Sequence, residues 1–133
     1  MTRPQKRSEH TEQVALFDWA NRNKYRYPEL QLMFAIPNGG KRHIGVARKL
    51  KAEGVKAGVP DIFLPVPRTI KDKFIAGLFI EMKYGKNKPT PSQQEWVRKL
   101  RKYGYWVVVC YSYEEAQEII TSYILNSDIY EKR

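Results

Sequence analysis

Two carboxylates and a lysine are the residues of this sequence best suited to hydrolytic chemistry. Asp61 follows the turn GVP and opens the apolar run DIFLPV, and an aspartate at the start of a buried strand is costly unless it has a partner. Glu81 and Lys83 stand at the end of a second apolar run, FIAGLFIEMK. Because side chains alternate across a strand, Glu81 and Lys83 lie on one face of it.

The lengths of these two runs permit them to pair as a hairpin, which would bring Asp61 next to Glu81 and Lys83. Carboxylate oxygens suit Mg²⁺, an ion that keeps several of its waters, and the backbone carbonyl of Met82 could be a third protein ligand. Such an ion would polarise a bound phosphate and lower the pKa of a bound water. Lys83 could orient that water and stabilise developing negative charge.

Each motif has a simpler explanation when it is taken alone. A Glu-x-Lys triplet on a strand is usually a surface ion pair worth about 0–1 kcal/mol, and an aspartate after such a turn often caps it. Both motifs at the matched ends of a predicted hairpin, in a basic chain, favour a catalytic site that acts on a polyanion.

The charge balance indicates the class of partner. The 133 residues include 24 Lys and Arg against 14 Asp and Glu, a formal net charge of +10. Such an excess attracts polyanions, among which nucleic acid is the leading candidate. The single cysteine, Cys110, excludes an internal disulfide framework and a cysteine-rich zinc site.

The composition also bears on location. No apolar stretch approaches the ~18 residues of a membrane-spanning helix, so we expect no membrane association. The basic N-terminus has no apolar segment after it and does not resemble a secretory signal. We therefore expect a cytoplasmic protein.

Local patterns predict helices that alternate with apolar strands. The predicted helices are 9–23, 44–53, 93–103 and 113–125, and the predicted strands are 30–35, 61–66, 74–83 and 105–111, with an exposed loop at PRTIKDK. This alternation favours one α/β domain with a mixed sheet between helices. We expect that domain to span residues 8–125, between a basic arm at 1–7 and a polar tail at 126–133.

The sequence resembles the VRR-NUC family of the PD-(D/E)xK nuclease superfamily over roughly residues 8–125. The matching text is GVPD, then FIEMK, then QQEWVRKL followed by Gly104, with IPNGG, Glu9 and Gln13 upstream. The resemblance implies a restriction-endonuclease-like core, in which a central mixed β-sheet is flanked by helices. It also implies that Asp61 and Glu81 are metal-binding catalytic carboxylates.

The resemblance implies further catalytic residues. Lys83 matches the catalytic lysine of the family. The downstream glutamine is best matched by Gln93, with Gln94 as the competitor. The first-helix glutamate is best matched by Glu9, while Glu12 remains possible because it lies about one helical turn away.

Basic segments flank the proposed site and are candidates for DNA binding. Asn38, Lys41 and Arg42 precede the strand predicted at 61–66, and Lys86 and Lys88 follow the strand predicted at 74–83. Such side chains would bind phosphates, which fixes position without reading bases. Nothing resembles a base-reading helix, so we expect recognition of DNA shape.

Compact VRR-NUC members, encoded by phages and bacteria, resemble Holliday-junction resolvases and act as homodimers. The resemblance therefore implies a Mg²⁺-dependent endonuclease, with Mn²⁺ as a substitute, that cuts branched DNA such as a four-way junction in the host cytoplasm. Two alternatives stay open: a sequence-specific restriction-type endonuclease and a non-catalytic nucleic-acid-binding protein.

Overall fold

The computed structural model describes residues 6–37 and 44–126. The helices of this part are α1 (Glu9–Asn23), α2 (Ile44–Ala52), α3 (Pro91–Lys102) and α4 (Tyr113–Ile124), with a short 3-10 helix at Pro28–Leu32. The strands are β1 (Phe34–Ala35), β2 (Ile62–Leu64), β3 (Arg68–Ile70), β4 (Lys73–Ile75), β5 (Leu78–Met82) and β6 (Trp106–Cys110). None of the helices in these ranges is long and apolar enough to cross a membrane.

A four-stranded mixed sheet organises the fold, in the order β1-β2-β5-β6. The first three strands are antiparallel neighbours, while β5 and β6 run parallel. Ile62 pairs with Ile80, so the start of β2 lies beside the end of β5. The predicted α/β class and the predicted strand pairing are both confirmed.

Helices cover the sheet on both faces. On one face, Ile62, Ile80 and Met82 join a buried core with Leu16 of α1 and Ile119 of α4. The alternate residues of β2 and β5 face the other way, toward α3. The main apolar core therefore lies on one face of the sheet, and Asp61 and Glu81 lie on the opposite face, at one end of β2 and β5.

Local capping explains where two helices begin. The Ser8 side chain accepts a hydrogen bond from the Thr11 N–H at the start of α1, and the Thr11 hydroxyl oxygen accepts one from the Ser8 backbone N–H. Thr90 and Gln93 form the same reciprocal arrangement at the start of α3. Each pair satisfies two backbone donors that a helix start otherwise leaves unpaired.

Three of the predicted elements are wrong in detail. The strand expected at 30–35 is mostly the 3-10 helix, because Pro28 suits the first turn of a helix, and only Phe34–Ala35 is extended. The loop expected at PRTIKDK is the β3–β4 hairpin, which turns through Lys71 and Asp72 at φ 47° and 67°. The long strand expected at 74–83 is two strands, β4 and β5.

Candidate active site

Asp61 lies in the bend that leads into β2, at the edge of the main sheet. Its Oδ2 accepts a hydrogen bond from the Met82 N–H at 2.7 Å, across the two strands. The carbonyl of a strand residue points to the same side as its N–H, so the Met82 carbonyl is also directed toward Asp61. The structure therefore brings together Asp61 and the backbone of Met82, as the sequence predicts.

The turn before Asp61 is held by α3. Gly58 has a φ of +88°, and a Cβ at this position would stand 2.3 Å from Oγ of Ser92. The indole N–H of Trp96 donates to the carbonyl of Ala57 at 3.1 Å. Glycine is required here both by the backbone conformation and by this close approach.

Glu81 and Lys83 form a buried ion pair beside Asp61. Glu81 is 1% exposed and Lys83 is 6% exposed. Lys83 Nζ lies 3.9 Å from Glu81 Oε1. The other oxygen of Glu81, Oε2, is buried and has no hydrogen-bond partner among the described residues. A buried carboxylate oxygen without a partner is unfavourable, and a cation would relieve it.

Gln93 connects α3 to this carboxylate. Its Nε2 donates to Glu81 Oε1 at 2.5 Å, while its Oε1 accepts from the Thr90 N–H at 2.8 Å. Gln94 instead donates to the carbonyl of Pro89 on the exposed side of the helix. Of the two glutamines that the sequence left open, the structure places Gln93 at the candidate site.

The two carboxyl groups perturb each other. Burial raises the pKa of Asp61 above its ordinary value. Burial and the nearby Asp61 raise the pKa of Glu81 to about 8, against the opposing effect of Lys83. Carboxylates crowded in this way are held in the charged form by a bound cation.

The donor set fits a hard divalent cation that retains water. The available oxygens are the carboxylates of Asp61 and Glu81 and the carbonyl of Met82. No group of three or more His, Cys, Asp or Glu side chains that could hold a metal is found in the described ranges. Two carboxylates with several waters is the arrangement that Mg²⁺ prefers over a complete protein cage.

Glu9 and Glu12 point in different directions from α1. Glu9 lines an open groove together with Asp61 and Met82, and its Oε2 accepts from Asn87 Nδ2 at 3.0 Å. Its negative charge contributes to the raised pKa of Asp61. Glu9 therefore lies by the candidate site.

Glu12 is 2% exposed and belongs to a separate contact. It accepts two hydrogen bonds from the Arg7 guanidinium, at 3.0 and 2.5 Å, and one from the backbone N–H of Tyr113 at 3.2 Å. The bond with Arg7 lowers the pKa of Glu12. Glu12 thus joins the start of α1 to the start of α4.

The comparison with protein families decides what kind of domain this is. A family model described as "VRR-NUC domain" matches residues 7–114. The chain belongs to the VRR-NUC family. A solved structure described as "VRR_NUC domain protein" is 30% identical, with a TM-score of 0.74 over 93% of each chain. No curated protein matches this chain. Membership of the VRR-NUC family implies nuclease activity, and hence a nucleic-acid substrate.

The predicted DNA-binding residues of this VRR-NUC domain divide into two sets. Lys86 and Lys88 are exposed in the loop that follows Lys83. Asn38, Lys41 and Arg42 lie outside the described residues.

Asn87, which no sequence motif indicates, ties the same loop to Glu9. Asn87 is 78 positions away from Glu9, and no local pattern marks such a contact. Only the folded arrangement of the loop over the start of α1 makes it visible.

Proposed function

We propose that this VRR-NUC domain is a Mg²⁺-dependent endonuclease that cuts branched DNA, with the four-way junction as its preferred substrate. The observation that carries the proposal is the buried Glu81, which lies between the half-buried Asp61 and the buried Lys83 and whose Oε2 has no hydrogen-bond partner among the described residues. A buried carboxylate next to a second, half-buried one is unfavourable for stability alone. It is expected where a cation and a phosphate are to be bound.

The residues have separable roles in this proposal. Asp61, Glu81 and the Met82 carbonyl would hold the divalent cation, which when bound supplies positive charge to the phosphate and acidifies a water. Lys83 donates hydrogen bonds to a phosphate oxygen and stabilises the negative charge that develops on it. Gln93 fixes the orientation of Glu81. Glu9 accepts hydrogen bonds from water or from Asn87 at the open side of the site.

The surrounding charge supports a DNA substrate that is held by its phosphates. Lys86 and Lys88 project from the loop directly after Lys83, and the whole chain carries a formal net charge of +10. Contacts of this kind depend on salt and not on base sequence. They favour selection by the shape of the DNA over a sequence-specific restriction-type activity.

We further propose that the domain acts as a homodimer. A four-way junction has two symmetry-related strands to cut, and a two-fold dimer presents one site to each. The backbone groups of Trp106 and Cys110 bond to residues that adjoin β5 in sequence. The backbone groups of Val107 therefore point away from β5, toward the outer edge of β6. The Val107 carbonyl there accepts from Arg101 at 2.8 Å. A dimer formed by joining two β6 strands would have to displace this bond.

Cleavage assays test the activity. A labelled four-way junction and a linear duplex of the same sequence are incubated with Mg²⁺, Mn²⁺ or EDTA, using the unmodified protein, Asp61→Asn and Asp72→Asn. Asp72 lies in the β3–β4 turn and supplies a control with the same change of charge. We expect metal-dependent cutting of the junction that is lost only in Asp61→Asn.

Other outcomes would decide against the proposal. Cutting of the duplex at one fixed sequence would favour the restriction-type alternative, and binding without cutting in either metal would favour a non-catalytic protein. Light scattering that gives 15.7 kDa at the assay concentration would exclude the dimer.

A further inference from the structure

A row of aromatic rings crosses three strands of the main sheet. Phe34 pairs with Phe63, and Phe63 pairs with Phe79, so the three side chains stand side by side on one face. Phe63 and Phe79 are stacked at 4.2 Å, and Tyr105 contacts both of them edge-on. A Cβ on Gly77 would come within 2.8 Å of the Phe63 ring, so glycine makes room for it.

The row is buried at one end and exposed at the other. Phe79 is 8% exposed in the middle of the sheet, whereas Phe34 is 47% exposed on the edge strand β1. Phe34 meets Phe63 nearly at right angles, with ring centroids 5.9 Å apart. Phe63 thus supports one side of Phe34, and about half of the surface of Phe34 stays open.

The exposed ring lies close to the candidate active site. Phe63 is two residues from Asp61, and Phe79 is two residues from Glu81, which is about 7 Å along each strand. Alternation places Glu81 on the same face of the sheet as Phe79. A strand whose phosphate lies at Asp61 and Glu81 would therefore have a base within reach of Phe34 a few nucleotides away.

We propose that Phe34 is a stacking surface for an unpaired nucleobase near the phosphate that is cut. The inference rests on the proposed nuclease function and extends it. Bases inside a duplex are stacked on one another, so only an unpaired base can offer its face to an aromatic ring. Flaps and branch points with unpaired nucleotides supply such bases, and a four-way junction supplies them where base pairs at its centre open. Phe34 would thereby contribute to selection of branched DNA.

The alternative occupant of this ring is a second copy of the chain. A stable protein interface buries about 800 Å² on each partner. A fully buried aromatic side chain contributes only about 150–250 Å², and Phe34 has half of its surface available. Its area is suited to one base, while the positive charge of the chain is complementary to the strand that carries that base.

Binding in EDTA tests the proposal without relying on cleavage. Fluorescence anisotropy would compare a branched DNA that has unpaired nucleotides at the branch, the same DNA with abasic sites there, and a matched duplex. The proteins are the unmodified chain, Phe34→Leu, Phe34→Ala and Phe34→Trp. Phe74→Ala is the control, since Phe74 is 64% exposed on the separate β3–β4 hairpin.

We expect Phe34→Ala and Phe34→Leu to weaken binding of the branched DNA about tenfold and to leave duplex binding unchanged. Phe34→Trp and Phe74→Ala should bind like the unmodified protein, and the abasic DNA should not respond to Phe34→Leu. Phe34→Leu keeps apolar volume, so it decides the matter if Phe34→Ala does not fold.

Unchanged branched-DNA affinity in Phe34→Leu, or an equal loss on duplex, would overturn the stacking role. A dimer that dissociates in Phe34→Leu would assign the ring to subunit contact instead. Failure of the unmodified protein to cut DNA in Mg²⁺ or Mn²⁺ would reject the nuclease function, and the binding measurements in EDTA would still be interpretable.

Discussion

The side-chain amide of Gln93 lies 2.5 Å from the carboxylate of Glu81, and it is also the residue that completes the capping box of α3. Its oxygen accepts from the Thr90 N–H at the helix start, and its nitrogen donates to Glu81 in the candidate site. Glutamate can perform the first task but has no N–H for the second. The start of α3 and the orientation of Glu81 are therefore set by one side chain.

Gln93→Glu should separate these two tasks. The cap would be kept, so the melting temperature should change little, but a third carboxylate would face Glu81. We expect junction cleavage to fall about 10- to 100-fold, as for other residues that orient metal ligands. Initial rates at saturating Mg²⁺ would measure the loss. Gln94→Glu is the matched control, and equal activity of the two variants would contradict the role of Gln93.

The two glutamates of α1 should respond differently to amide substitution. Glu9→Gln is expected to slow cleavage at an unchanged melting temperature. Glu12→Gln is expected to lower the free energy of unfolding by about 1–2 kcal/mol, because it weakens a charge-assisted bond to Arg7, without slowing cleavage of the remaining folded protein. Urea unfolding and cleavage rates for both variants would check this, and the reverse pattern would exchange the two roles.

The contribution of Glu12 should also depend on pH. Its pKa is lowered in the folded state, so the folded state binds fewer protons than the unfolded state near that pKa. The stabilisation is therefore present above the unfolded pKa of about 4.3 and is lost as pH falls through the lower folded pKa. Unfolding free energies of the unmodified protein and Glu12→Gln should converge at acidic pH.

Divalent cation binding should release protons at neutral pH. Burial and the neighbouring Asp61 raise the pKa of Glu81 to about 8, so a proton that Glu81 carries near neutral pH must leave when metal binds. Below pH 8, affinity for Mg²⁺ should rise about tenfold for each pH unit. Calorimetry in buffers of different ionisation enthalpy would count the protons, and a pH-independent affinity would contradict the prediction.

Gly58 should be more sensitive to substitution than Gly54. Both have a left-handed φ, at +88° and +99°, but only the Cβ at Gly58 would overlap Ser92. Gly54→Ala should cost about 1 kcal/mol from backbone strain, with cleavage unchanged. Gly58→Ala should cost about 1–2 kcal/mol more and also slow cleavage, because α3 would be displaced with Gln93. Equal effects of the two substitutions would argue against this contact.

Elements with a strong local signal were predictable. The first helix was expected from a Ser8 cap and begins there, because the cap and its partner Thr11 are three residues apart in sequence. The β3–β4 hairpin was missed because Lys71-Asp72 replaces the Asn-Gly pair that usually marks such turns. The strand expected at 30–35 was wrong because its apolar residues also suit a 3-10 helix that begins at a proline.

The sequence by itself determined the central unit of the site. Strand alternation puts Glu81 and Lys83 on one face, and the pairing of two short apolar strands brings Asp61 next to them. Tertiary structure alone decided which of Glu9 and Glu12, and which of Gln93 and Gln94, lies at the candidate site. The members of each pair have nearly the same local surroundings on their helix, so their contacts depend on what packs against that helix. Glu12 binds Arg7 and the start of α4, and Gln93 binds Glu81 of β5.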